Sequence, residues 1–415
     1  MNRIKKIAAA ITSLSVAATI ASCGAPTIGS GSSNALTVGD ADVKAGVFIY
    51  YTMQSYSDAQ SLLAEETGTT PTLEDVEEAE IEGVESSEWI QDKATQYCKD
   101  LITIDKEFQK IGGELPQEDL DEIDEMVTAA LETEIFNENG IGEESLRQIA
   151  ASTYKSEFIF DYYYGTDSEQ GMTEDELKEY FDNNFARVKY VSMSYLDADG
   201  NKLDESGKKE IRDLAEEYAE RVNAKSDDME KLFEMDEVST DYDEYVAEQT
   251  AAASTDTAAT TTTTTATTTT NASETTTTTT TNPYANERLI QKQTTAVADT
   301  ESEDPAVTTT TAEPSASEKS VEKLNNYIFD ELTEYNKAVV FDDEENDAIY
   351  VVIRADLNER LTDDDLWTED NISYLQSLNF YDTYIEYMQG LSDGYEVKRN
   401  ESAYRRYEPF ELTLE

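Results

Sequence analysis

The sequence predicts an α+β protein in which helices precede and follow a second domain that is split by an insertion. Three features of the 415-residue chain support this prediction. Amphipathic helical patterns follow one another from residue 87 to residue 185, and two runs typical of strands occupy 188–195 and 348–353. A threonine-rich tract lies between these runs. Threonine offers too little apolar area to offset the entropy of ordering, so we expect this tract to be disordered.

The N-terminus has the organisation of an export signal. Three basic residues precede an apolar segment at 7–21, which is short for a membrane span. The residues leading to Cys23 resemble the bacterial lipobox, whose cysteine is acylated and becomes the new N-terminus. We therefore expect a lipoprotein signal peptide at 1–22, lipidation of Cys23 and a flexible Gly/Ser-rich tether at 23–35.

Residues 36–186 are predicted to form a helical module. A short strand pattern with a turn at Gly39 comes first, and a helix begins after Ala45. The clearest helical pattern spans 87–111 and places Cys98 on its apolar stripe, so we expect this thiol to be buried. Three more helical patterns follow, and the last one opens with a capping box.

The second domain is predicted to consist of 187–250 and 318–360. Each part contains one of the two strand patterns, and the segment 251–317 between them is expected to be a disordered Thr-rich insertion. The cost of closing a loop grows only with the logarithm of its length, so a domain tolerates such an insertion. Residues 361–415 are expected to form a C-terminal helix and a tail that pack on the helical module.

The composition limits the partners and the chemistry of this chain. Lys and Arg total 31 against 90 Asp and Glu, and the formal net charge is -59. This charge makes nucleic acid and anionic membrane surfaces poor partners, whereas basic or unfolded polypeptides suit it. Histidine is absent from the sequence, so the usual general base near neutral pH and the commonest metal ligand are both missing.

No motif in the sequence implies a cofactor or a metal. Asp197, Asp199 and Asn201 begin like a calcium-binding loop, but Lys202 and Lys208 stand where such a loop has its glycine and its glutamate. We interpret this segment as a polar turn. Tyrosines are concentrated in three segments, which we expect to serve mainly in packing and also to suit weak binding of unfolded chains: 158–164, 381–387 and 404–407.

The order of these parts resembles the PrsA/SurA group of extracytoplasmic foldases. The signal, the strand at 36–43 and the helix at 89–112 resemble that group's lipobox and helical chaperone (SurA-N-like) module. The cap and helix at 172–185 resemble the lead-in to the group's parvulin-type prolyl isomerase domain. Three later segments would then be the first strand, the late helix and the last strand of that domain: 188–192, 324–329 and 348–354.

The resemblance implies a degenerate parvulin-like domain. Parvulin domains typically carry a histidine in the first strand, where this chain has Tyr190, and another in the last strand, where it has Ile349 or Tyr350. The insertion largely replaces the middle of the domain, where the family places a Cys or Asp and its proline-pocket residues. We therefore assign no catalytic residue.

The leading hypothesis is a membrane-anchored chaperone that holds secreted polypeptides on the extracytoplasmic face of the bacterial cell membrane. Its partners would be unfolded or secreted polypeptides and, through the lipid, the membrane; nucleic acid is not expected. One alternative is an active parvulin-type peptidyl-prolyl cis/trans isomerase. A second alternative is a surface lipoprotein that uses the threonine tract as a spacer.

Overall fold

The computed structural model describes residues 33–256, 282–293, 316–363 and 365–414. The fold is α+β, mainly helical, with small antiparallel sheets. The chain divides into two compact units, and the second unit, Lys178–Thr368, is inserted in sequence into the first. The predicted signal peptide, Cys23 and most of the predicted tether lie outside the described residues.

Within the described residues, the first unit consists of 33–177 and 369–414. Its described elements, with the helix that carries the boundary between the units, are β1 (Asn34–Val38), β2 (Ala41–Lys44), α1 (Ala45–Thr67), α2 (Leu73–Glu77), β3 (Glu80–Ile81), β4 (Val84–Glu85), α3 (Ser86–Lys110), α4 (Gln117–Leu131), α5 (Glu134–Glu138), α6 (Glu143–Tyr164), α7 (Glu174–Asn184), α11 (Glu369–Asp393), β9 (Val397–Arg399) and α12 (Glu401–Tyr404). The helices predicted after Ala45 and at 87–111 are present as α1 and α3.

The core of the first unit forms around α1 and α3. Their apolar faces pack together and against α6, as the helical periodicity predicts. Gly39, with a φ of 61°, makes the turn between β1 and β2, since glycine adopts this left-handed conformation without strain. The C-terminal tail completes the unit: β9 pairs with β1, and the Tyr404 ring lies 4.6 Å from that of Phe48.

The second unit is a four-stranded antiparallel sheet with helices on both faces. Its elements are β5 (Phe185–Ser194), α8 (Glu205–Asn223), α9 (Asp228–Asp256), β6 (Arg288–Gln291), α10 (Ala316–Asp330), β7 (Val339–Asp343) and β8 (Ala348–Ala355). The strand order is β6-β5-β8-β7. Successive side chains of a strand point to opposite faces; odd-numbered residues of β5 and β8 pack on α8 and α9, and even-numbered residues pack on α10.

The structure corrects the predicted boundaries of the insertion. Residues 251–317 were expected to be disordered throughout, but α9 continues to Asp256 and Arg288–Gln291 forms a strand that pairs with β5. Ile290 of this strand packs against the apolar cluster between the sheet and α10, which the threonine tract offers no side chain to do. The tether prediction also changes, since Asn34 and Ala35 belong to β1. Neither β7 nor β9 was predicted.

The boundaries between the units also differ from the predicted ones. They fall at 177/178 and 368/369 instead of 186/187 and 360/361, so the division lies within α7. None of the helices in the described part of the chain is long and apolar enough to cross a lipid bilayer.

Candidate functional site

The two tyrosines at the positions of the family histidines lie on neighbouring strands. In the β5–β8 register, Tyr190 pairs with Val352 and Ser192 pairs with Tyr350, so both tyrosine side chains point to the α10 face of the sheet. Their ring centroids are 5.9 Å apart and the rings are nearly perpendicular. Ile349, the other candidate in the last strand, is fully buried on the opposite face.

Two more aromatic rings extend this surface. Phe341 of β7 has its ring centroid 6.0 Å from that of Tyr350, and Tyr327 of α10 stacks on Phe341 at 4.8 Å. We refer to Tyr190, Tyr327, Phe341 and Tyr350 as the aromatic face. Tyr350 is buried, whereas the other three rings are partly exposed.

Both phenol groups of Tyr190 and Tyr350 are engaged in hydrogen bonds. The Arg288 guanidinium donates to the Tyr190 hydroxyl at 2.5 Å and lies 4.5 Å from the centre of its ring. Tyr350 donates to Ser320 Oγ at 3.0 Å. These contacts hold the two side chains in fixed orientations.

A buried carboxylate lies at the edge of the aromatic face. Asp343 accepts hydrogen bonds from Lys323 at 3.0 Å and from Asn346 at 2.7 Å. Burial alone would raise the pKa of Asp343, but the bonds from Asn346, Lys323 and Ser320 outweigh that effect and hold the pKa below its ordinary value. This carboxylate is therefore ionised near neutral pH and suits an ion pair better than proton transfer.

A second cluster fixes the strand that the sequence analysis had placed in the insertion. The side chain of Glu287 is 4% exposed; it accepts two hydrogen bonds from Arg187 at 2.8 and 3.1 Å and also pairs with Arg360. The Tyr284 ring lies 5.4 Å from the Arg187 guanidinium and 4.1 Å from that of Arg360. The cluster holds residues 284–287 against the sheet.

In the first unit, the tyrosine segments 158–164 and 381–387 meet at a buried glutamate. Glu107 of α3 accepts hydrogen bonds from Tyr163 of α6 at 2.6 Å and from Tyr387 of α11 at 2.7 Å. Lys110 also pairs with it at 3.0 Å. Burial alone would raise the pKa of Glu107, but these three partners outweigh burial and lower it. The Glu107 carboxylate thus links α3, α6 and α11 by hydrogen bonds.

The solvent-exposed side of α11 presents a row of apolar side chains, which we call the C-terminal ridge. It consists of Tyr374, Leu378, Tyr381 and Ile385, which are 46%, 39%, 54% and 43% exposed. The spacing of four, three and four residues places all of them on one side of the helix. Contiguous exposed apolar side chains of this kind often mark a binding surface.

Comparisons with known proteins give no relative from which to transfer a function: no family model, curated protein or solved structure matches this chain. The assignment of a function therefore depends on the geometry described above and on the resemblance noted in the sequence.

The remaining candidates from the sequence have structural roles or lie outside the described residues. Cys98 is fully buried, and burial raises the pKa of its thiol well above the ordinary value, which disfavours the reactive thiolate. Asp197 accepts hydrogen bonds from the backbone of Asp199 and Asn201, as expected of a polar turn. Within the described part of the chain, no three acidic, His or Cys side chains could jointly hold a metal ion.

The residues that complete the candidate surfaces were not evident from the sequence. Arg288 and Glu287 were included in the Thr-rich insertion, although the non-repetitive stretch 282–290 was the available signal. Phe341 was missed because β7 was not predicted. Glu107 was not distinguishable among 90 acidic residues without the tertiary contacts.

Proposed function

We propose that the protein is a lipid-anchored extracytoplasmic chaperone that holds unfolded secreted polypeptides and is built on a SurA-N-like module and a degenerate parvulin-like domain. The observation that carries this proposal is the packing of Tyr190 against Tyr350 where the family has histidines. Both phenols are already hydrogen-bonded, and neither side chain provides the imidazole that the family's histidines carry. Binding is therefore favoured over catalytic turnover.

The arrangement of the second unit supports the parvulin-like part of the proposal. The segments that resemble the first and last strands are β5 and β8, which pair over eight residues from Arg187 and Ala355 to Ser194 and Ala348. The segment that resembles the late helix lies in α10, which packs on the same face as Tyr190 and Tyr350. The parts that the resemblance assigns to one domain are thus neighbours in one sheet and its covering helix.

The surface properties of the chain support holding of polypeptides. The C-terminal ridge presents aromatic and aliphatic side chains to solvent, and such groups bind unfolded segments without a demand for one sequence. The net charge of -59 favours basic polypeptides by long-range attraction. A net charge so far from zero also disfavours aggregation of the protein itself.

The test is a pair of assays on soluble protein that starts at Gly24. The first measures suppression of aggregation of an unfolded client by light scattering, and the second measures cis/trans isomerisation of a proline peptide. We expect suppression without isomerisation. Robust isomerisation of the proline peptide would instead support the isomerase alternative. No effect in either assay would support the surface-lipoprotein alternative.

A matched variant separates binding from chemistry in these assays. Tyr190→Phe combined with Tyr350→Phe removes both hydroxyl groups and keeps the rings, so suppression of aggregation should stay within about twofold of the parent protein. If the phenols carry catalysis, this variant would lose isomerase turnover while the parent protein shows it.

A further inference from the structure

The C-terminal ridge is held on a fixed support. Below it, Tyr384 is buried and hydrogen-bonds with Ser156 of α6, while Tyr387 donates to Glu107 of α3. Farther along α11, Ser392 donates to Asp100 of α3 at 2.8 Å. Because the helix is attached at several points, little conformational entropy is lost when a partner binds to its exposed side.

Acidic side chains flank the ridge on one side. Asp382 directly follows Tyr381, and Glu386 directly follows Ile385. One residue along a helix corresponds to a rotation of about 100°, so these carboxylates form a second row next to the apolar row. Both residues are exposed. A partner that covers the ridge would therefore meet apolar groups and negative charge together.

We propose that the C-terminal ridge is the site that binds unfolded polypeptides, and that it selects segments in which a short apolar or aromatic stretch is flanked by Lys or Arg. This inference rests on the proposed chaperone function and names its site and its client class. The apolar stretch covers the four ridge side chains, while the flanking basic residues pair with Asp382 and Glu386. Rim charges of this kind mainly raise the association rate and the specificity.

Charge decides against two other occupants of the ridge. A second copy of the chain would bring another strongly negative surface against the acidic row, and like charges disfavour that contact. An anionic membrane surface would be repelled in the same way. A polypeptide with basic flanks is the partner whose chemistry fits both rows.

The test uses fluorescence anisotropy with two labelled peptides and the soluble protein from Gly24. The peptides share one apolar stretch that contains two aromatic residues, flanked by three Lys on each side in one peptide and by three Glu in the other. The ridge variant is Leu378→Ser/Tyr381→Ser/Ile385→Ser. The control variant is Leu62→Ser/Leu120→Ser, which removes two exposed apolar side chains of the same unit outside the ridge.

The inference predicts that the Lys-flanked peptide binds at least about tenfold more tightly than the Glu-flanked one. The ridge variant should weaken this binding by about tenfold or more, and the control variant should stay within about twofold. The preference should also decrease as salt is added. A preference for the Glu-flanked peptide, or equal loss in both variants, would overturn the inference.

A parallel aggregation assay distinguishes failure of the inference from failure of the proposed function. If the parent protein suppresses aggregation and the ridge variant does so equally, the chaperone proposal stands and the ridge assignment is wrong. If the parent protein neither suppresses aggregation nor binds either peptide, the chaperone proposal itself fails. If the parent protein is a dimer and the ridge variant a monomer by light scattering, the ridge is a self-association surface and the assignment is overturned.

Discussion

At the scale of single residues, the second unit depends on a buried charge that must be compensated. Arg187 is 1% exposed, and its guanidinium is satisfied by Glu287 and by the backbone carbonyl of Asp356. Taking an arginine out of water costs several kcal/mol, and only well-placed partners offset that cost. Glu287 therefore stabilises the unit although it comes from a segment that the sequence analysis assigned to the insertion.

Removing the charge of Glu287 should destabilise the second unit. We expect Glu287→Gln to lower the free energy of unfolding of this unit by about 3 kcal/mol, because Arg187 stays buried without its buried, hydrogen-bonded carboxylate. Urea denaturation followed by Trp367 fluorescence, in a Trp89→Phe background, reports on this unit because the two Trp residues lie in different units.

The matched control for this prediction is Glu359→Gln. Glu359 lies 3.6 Å from the same guanidinium but is 47% exposed, so solvent screens its interaction and the change should be under about 0.5 kcal/mol. Equal effects of the two substitutions would contradict the account of a buried, compensated arginine.

At the scale of elements, α11 is attached to the first unit through Glu107. The carboxylate is buried, and the bonds from Tyr163 and Tyr387 bring α3, α6 and α11 together. Its pKa is lowered from the ordinary value of 4.5, so the ionised form stabilises the folded state. This contribution is present above the ordinary pKa and is lost as the pH falls through the lowered folded-state pKa.

Glu107→Gln should therefore have an effect that depends on pH. At pH 7 we expect the variant to lose about 2 kcal/mol of unfolding free energy, since hydrogen bonds to a charged group are the stronger ones. The difference from the parent protein should shrink below pH 4.5. Urea denaturation of the first unit at successive pH values, followed by Trp89 fluorescence in a Trp367→Phe background, measures it.

Asp393→Asn serves as the control on the same helix. Asp393 is 72% exposed in its pair with Lys99, and its loss should change stability little at any of these pH values. A Glu107→Gln effect that stays constant or grows toward acid pH would contradict the proposed role of the ionised carboxylate.

The sequence predicted the long elements better than the short ones. The regular apolar stripe from Ile90 to Phe108 predicted α3 because a helix of that length buries one continuous face. In contrast, the strand Val339–Asp343 ends in two acidic residues, so its alternation is short and its pairing with β8 depends on tertiary contacts. The sequence signal was also insufficient for the end of α9, which extends to Asp256, beyond the expected end of this part of the domain at residue 250.

The candidate site was predictable only in part. The resemblance placed Tyr190 and either Ile349 or Tyr350 near the positions of the family histidines, but a shift of one residue along a strand reverses the face. Only the register of β5 and β8 shows that Tyr350 shares the face of Tyr190. The C-terminal ridge was not predictable, because α11 carries both buried and exposed tyrosines and the sequence does not distinguish between them.

At the scale of the whole molecule, the segment 251–317 is not one uniform insertion. Its central residues 282–293 are part of the second unit: β6 pairs with β5, and Asn325 of α10 bonds to Gln291 and Gln293. A deletion of the entire segment would remove both β6 and the partner of Arg187. Such a deletion would not distinguish a spacer from a chaperone.

Replacing only residues 257–281 gives a cleaner distinction. We expect a Gly/Ser sequence of equal length to change the stability of the second unit by less than about 0.5 kcal/mol and to leave suppression of aggregation intact. Replacing 282–293 in the same way should destabilise the unit. Loss of function in the first variant at unchanged stability would favour the surface-lipoprotein alternative.

The central claim is that this molecule binds unfolded chains and does not catalyse prolyl cis/trans isomerisation. The most direct measurement is light scattering from a chemically unfolded client diluted into increasing amounts of the soluble protein from Gly24, without any nucleotide. The account predicts that aggregation falls as protein is added and is suppressed near one molecule per client chain, while a proline peptide in the same buffer isomerises at its uncatalysed rate. Unchanged aggregation at a severalfold excess of protein would contradict it.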